Sequence, residues 1–181
     1  MSGTMSHSPS QVIRQLLIDL GVASDGGTWP AYASQEPDKP DDCITVYDTS
    51  ETRQGRFQVG GEEQSAYNLQ IKVRSNDYQE GHVKANSIKT TLAQSVQNTT
   101  VSTLDDEANG TATQSYLVYA ISLRSFFSIP VPYSDRKVWT CNIQATITQS
   151  PYRKEPIIWQ PLPPLLVLPL EPFPSGTASA Q

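Results

Sequence analysis

The chain has 181 residues, with 13 basic against 18 acidic side chains and a formal charge of −5. That length holds one domain with a real core and no second one. The basic residues are scattered singly or in pairs, so no run neutralises a row of phosphates, which argues against tight nucleic-acid binding.

A first helix is predicted from its punctuation: Ser8 as N-cap, Pro9 at the first helical position, Gln11 completing a capping box and Gly21 ending it. Val12, Leu16 and Leu20, flanked by Ile13 and Leu17, form a stripe broad enough to bury against a sheet. Residues 22–42 contain Gly26, Gly27, Pro30, Pro37 and Pro40, too many breakers for a regular element, and read as an irregular loop anchored by Trp29 and Tyr32. A strand follows from Cys43. Residues 50–65 are polar, carry Arg53, Arg56 and Gly60-Gly61-Glu62-Glu63, and exceed what a hairpin needs. They read either as a mobile solvated hairpin or as a loop that folds onto a partner, with Arg53, Arg56 and Phe57 as candidate contacts.

From 66 to 74 the alternation is clean, with Tyr67, Leu69, Ile71 and Val73 on a buried face and Asn68, Gln70, Lys72 and Arg74 on a wet one. Asn76 or Asp77 then caps a second helix whose stripe is Tyr78, His82, Ala85, Ile88, Leu92 and Val96. A short strand is possible near Val101 to Leu104. Two further strands follow, one placing Leu117, Tyr119, Ile121 and Leu123 on a shared face, the other Trp139, Cys141, Ile143, Ala145 and Ile147, with Pro130 and Pro132 in the loop between. The expected fold is therefore α+β over residues 1–149: a mixed or antiparallel sheet of about four to five strands with two helices packed on one face.

The segment 150–181 differs in kind, holding eight of the 14 prolines, which excludes helix and central strand. It is also rich in large apolar side chains, among them Ile157, Ile158, Trp159, Leu165, Leu166, Leu168 and Phe173, which ordinary disordered tails lack. A membrane helix needs ~20 apolar residues, and the tail's prolines interrupt any such run. An extended arm that binds a neighbouring subunit is preferred over a strap across its own domain.

Two motifs carry a resemblance. One is the turn-to-strand run Pro40-Asp41-Asp42-Cys43-Ile44-Thr45-Val46-Tyr47-Asp48-Thr49; the other is Gln70-Ile71-Lys72-Val73-Arg74-Ser75-Asn76-Asp77-Tyr78 at a strand-to-helix junction. With the helix before them, over about residues 8 to 149, they resemble the tail-terminator and minor capsid (tail-completion) proteins of long-tailed bacteriophages. The resemblance implies a virion protein that caps the head-proximal end of the tail tube as a ring, typically hexameric, and offers a docking surface to the head-tail connector. The implied partners are further copies of the chain, the tail tube protein and connector or neck proteins, with no membrane. DNA would only pass through the channel, repelled by an acidic wall. A head-completion or neck adaptor and a tube subunit share this plan and stay open at this point. The segment after Gln149 lies outside the resemblance.

Catalytic signals are thin. His7 lies in a frayable terminus and His82 on a helix without a second His or Cys, so both read as bystanders. Cys43 and Cys141 have no metal-ligand spacing and read as buried thiols, and Met1 to Ser10 has no secretory pattern, which predicts assembly in a reducing cytoplasm. Neither G-x-S-x-G, a P-loop nor H-E-x-x-H occurs. A remote reading as a metal-dependent hydrolase would use Asp41, Asp42 and Asp105 to Glu107, although turn chemistry accounts for both groups. No enzyme activity and no cofactor is expected.

Overall fold

A computed structural model describes residues 5–56, 63–104, 113–124, 126–129 and 135–149. Helix α1 (Pro9–Asp19) begins as its sequence dictates, with the reciprocal Ser8–Gln11 capping box and Pro9 in the first turn, and Gly21 takes a φ of +70° just past the Leu20 cap. Three strands and a helix follow: β1 (Ala31–Ala33), β2 (Cys43–Arg56), β3 (Glu63–Ser75) and α2 (Tyr78–Ser95). The remainder is β4 (Gln97–Leu104), β5 (Thr113–Leu123), β6 (Phe127–Ile129) and β7 (Lys137–Gln149).

These strands form one sheet in the order β1-β2-β3-β7-β5-β4, with β6 pairing β7 beyond the end of β5. Every pairing is antiparallel except β1 with β2, so the sheet is mixed. Its described strands number seven, more than the four to five expected. The additional strands have physical reasons. β1 lies inside the Gly- and Pro-rich loop, where Pro30 sits just ahead of the ladder and its carbonyl accepts from the Ile44 amide at 2.9 Å. β6 is three residues long, too short to show a period. The polar stretch 50–65 is mostly strand, because β2 and β3 continue to Arg56 and from Glu63 as a ladder of main-chain hydrogen bonds that needs no apolar face.

Both helices feed one core. Ile44 and Val46, Leu69, Ile71 and Val73, Cys141, Ile143, Ala145 and Ile147, and Val101 alternate onto the inner face, where they meet Val12, Ile13, Leu16 and Leu17 of α1 and Ala85, Ile88 and Leu92 of α2. Each Val, Leu or Ile among them contributes roughly 1.5–3 kcal/mol by leaving water. The helices divide the face unequally. α2 lies over β3, β5 and β7, whereas α1 touches β1, β2 and β4, the two ends of the strand order, and so spans the opening of a curled sheet.

One expected face is corrected by a bulge. Val118 pairs Ile147 and Ala120 pairs Thr146, so two residues of β5 oppose one of β7 and the alternation flips at Tyr119. Tyr116 and Val118 are buried before the flip, Ile121 and Leu123 pack on the core after it, and Leu117 and Tyr119 do not share their face. In α2 the buried stripe is Gly81, Ala85, Ile88 and Leu92, while Tyr78 is 55% exposed and His82 is exposed. The Trp139 ring takes the space that a larger side chain at 81 would need.

A Cβ on Gly81 would stand 2.1 Å from that ring. Gly81→Ala is therefore expected to destabilise the domain by about 1–3 kcal/mol, although an exposed helical Gly→Ala change stabilises by about 1 kcal/mol. Thermal unfolding of the two proteins decides the sign, and a raised Tm would overturn this account of the helix-sheet contact.

Candidate functional site

The two sequence motifs meet in space and hold each other. Arg74, on the face of β3 expected to be wet, is 5% exposed, because residues 36–41 fold over it. Its guanidinium donates to Glu36 Oε1 at 2.8 Å and to the carbonyls of Pro37, Asp38, Pro40 and Asp41 at 2.9, 3.2, 2.6 and 3.2 Å. A planar fork with five donors suits such a ring of acceptors, and a lysine would not replace it. Asp42 accepts from Ser75 Oγ at 2.6 Å and from the Asn76 amide, Asp41 accepts from Asn76 and Arg136, and Asp77 caps α2 through the Glu80 amide. The carboxylates of the hydrolase reading are thus engaged in joining the loop before β2 to the start of α2. Asp105 to Glu107 lie outside the described residues, and no cluster of potential metal ligands occurs among the described ones.

The closing Asp-Thr of the first motif is also structural. Asp48 accepts from the Ser10 amide at 2.9 Å and the Ser10 hydroxyl at 2.6 Å, placing a negative charge at the amino end of α1. Thr49, in the bulge between Asp48 and Ser50, donates to the Asn68 carbonyl at 2.7 Å. On the other side of the opening, the His7 amide donates to the Tyr116 hydroxyl at 3.1 Å, and His7 Nδ1 lies 2.8 Å from the same hydroxyl and 3.1 Å from Thr103 Oγ1. His7 is therefore no loose terminal residue. His82 stacks on Tyr78. Cys43 and Cys141 are buried, and burial pushes both thiols up from their ordinary pKa.

The sheet register gathers the predicted contact segments at one end. Ser65 pairs Arg53 on one side and Ile147 on the other, so the β2–β3 tip and the base of the 150–181 segment leave the sheet together. Leu104 pairs Thr113, and Tyr116 pairs Gln149, so the β4–β5 connection departs from that end as well. Arg53 and Arg56 lie in the last turns of the β2 ladder. Phe57 and the arm residues Ile157, Ile158, Trp159, Leu165, Leu166, Leu168 and Phe173 lie outside the described residues. Sequence reasoning missed Glu36, Asp48 and Arg136 as organising groups. Only Asp48 carried a signal, as the last residue of an otherwise apolar strand before a hydroxyl.

The result is a polarised α+β module, its motif residues holding the fold together at one end while the connections at 57–62 and 105–112 and the 150–181 segment leave at the other. The chain belongs to the bacteriophage tail terminator protein family, whose model matches residues 16–149. Among solved structures, a chain of the virion of a native gene transfer agent (GTA) particle is similar at 12% identity, with 76% of this chain and 91% of that chain covered and a TM-score of 0.44. No curated protein matches the sequence.

Glu36 makes the loop cluster pH-sensitive. Burial raises its pKa, but the Lys72 ammonium at 2.5 Å and the Arg74 guanidinium outweigh this and leave it below the usual carboxylate range. Beside it, burial and the Glu36 charge push the Tyr47 hydroxyl up to about 12. A carboxylate with a depressed folded pKa stabilises above its unfolded value, and that contribution is lost as pH falls through the folded one. Unfolding measured from pH 7 down to pH 3 is expected to show wild type above Glu36→Gln at neutral pH, with the gap closing below about pH 4.5. A gap that stays constant with pH would show that the ion pairs contribute nothing. Arg74→Ala, which leaves the carbonyls of Pro37, Asp38, Pro40 and Asp41 without their donor and Glu36 with Lys72 and Tyr47 alone, is expected to cost about 3 kcal/mol.

Proposed function

We propose that this chain is the terminator of a phage tail: copies close into a ring on the head-proximal end of the tail tube, stop its growth and offer the other face of the ring to the head-tail connector. The observation that carries this reading, beyond family membership, is the polarity of the sheet. Connections at 57–62, 105–112 and 150–181 depart from one end, while the opposite end is closed by the ion pairs of Arg74 and Arg136 with Glu36, Asp38 and Asp41. A ring stacked between two different neighbours needs two unlike faces, and head-to-tail side contacts that close.

In this assignment Arg53, Arg56 and Phe57 form the axial contact at the hairpin tip. Ile157, Ile158, Trp159, Leu165, Leu166, Leu168 and Phe173 grip a neighbouring subunit or the neck from an extended arm. The net charge of −5 favours passage of DNA along the axis over binding it. No chemical step is part of the mechanism, which consists of surfaces that match the last tube ring and fail to match another.

Two experiments test this. An early stop in this gene is expected to give overlong tubes unattached to filled heads in electron micrographs of the lysate. Tubes of normal length beside separate heads would move the chain to a neck adaptor, and growth of the purified protein into long filaments would make it a tube subunit. Removal of residues 150–181 is expected to leave the domain's Tm unchanged and to abolish incorporation into virions; normal virions from the truncated chain would exclude the arm as a partner contact.

A further inference from the structure

β4 is an edge strand whose sequence carries none of the usual protection, although α1 packs against it from the core side. Of its eight residues, none is charged and none is proline, and three are threonine. Its pairing with β5 keeps one register from Gln97↔Ala120 to Leu104↔Thr113, interrupted only at Asn98, whose φ is +51°. Its other edge makes no backbone hydrogen bond to any described residue. Folded proteins blunt such edges with lysine, proline, bulges or a covering segment, because an exposed row of amides and carbonyls recruits another strand.

The far end of the same sheet offers the complement. Among the described residues β1 covers β2 only from Ile44 to Val46, and the ladder from Asp48 to Arg56 has no strand partner on that side. Following the register across the sheet, Thr99 pairs Val118, Val118 pairs Ile147, Ile147 pairs Ser65 and Ser65 pairs Arg53. The open part of β2 and the open edge of β4 therefore stand at the same height. They also run in the same direction, since three antiparallel strands, β3, β7 and β5, lie between them. The geometry points to a second copy of this chain as the occupant: β4 of one subunit adds, in parallel, to the open half of β2 of the next, beside the place where β1 stops. Copies related by rotation about an axis along the strands keep their heights and directions, so this contact needs no shift along the axis. A pairing between opposite ends of one sheet is head-to-tail, and it propagates until the rotation closes.

This inference rests on the ring reading and names its side contact. Thr52 and Thr100 are both exposed, and the two natural thiols are buried, so introduced cysteines report alone. The full-length double variant Thr52→Cys/Thr100→Cys, treated with a short bifunctional thiol reagent, is expected to give a ladder of covalent oligomers ending at the ring's subunit number. Either single variant is expected to give none, and a mixture of the two single variants to give dimers. A ring intact by native mass spectrometry without cross-links in the double variant would overturn the edge contact and leave the ring reading standing. Dimers from Thr100→Cys alone would replace it by a two-fold β4–β4 contact. A chain monomeric at every concentration would remove the ring reading and this contact together.

Discussion

The fold depends on a buried guanidinium. Arg74 leaves β3 on the side away from the helices, and the loop between β1 and β2 closes over it through four carbonyls and one carboxylate. A charge taken from water at this depth is tolerated only when its donors find acceptors, and the loop's conformation supplies them. That conformation fixes where Asp41 and Asp42 stand, and those two residues receive Asn76 and Ser75 at the entrance to α2. A segment with too many breakers to hold itself is thus ordered by a residue more than thirty positions away.

The second constraint is the curl of the sheet. Its two ends are brought within reach of one helix, which is tied to β2 by Asp48, to β1 by Arg14 donating to the Ala31 carbonyl at 2.7 Å, and to β4 and β5 through His7. Bulges at Thr49 in β2 and at Tyr119 in β5 supply local twist. α1 fills the opening with Val12, Ile13, Leu16 and Leu17, and the barrel-like core is packed without being closed by strands.

What the sequence makes legible follows from how local each signal is. The capping box of α1, the alternation of β3 and the inner face of β7 are dictated by neighbours in the chain, and each is found where periodicity and punctuation put it. The family could be read from two short motifs because their residues are constrained by each other, Arg74 by the loop at 36–41 and Asp48 by the helix at Ser10. What was hidden depends on distant partners. Nothing local to Arg74 distinguishes it from Lys72 as a wet-face residue until the loop is laid on top, and nothing in β5 announces the bulge that reverses Leu117 and Tyr119. The polar hairpin reads as loop because its ladder is made by main-chain groups that side-chain patterns do not report. The candidate contacts in the 150–181 segment stand out only by composition, large apolar residues between prolines, which names no partner.

The position of β7 in the order has a kinetic consequence. It is the last strand of the domain and yet sits near the middle of the sheet, between β3 on one side and β5 with β6 on the other. Two hairpins, β2–β3 and β4–β5, are local and can form as the chain is made, but they share no strand until residues 137–149 arrive. Joining Ser75 to Lys137 spans most of the distance between the hairpins and the end of the domain, and contacts of such long sequence separation slow folding. Without β7 the two hairpins are joined only through the helices, α1 above all, so the sheet is completed only by the last strand of the domain.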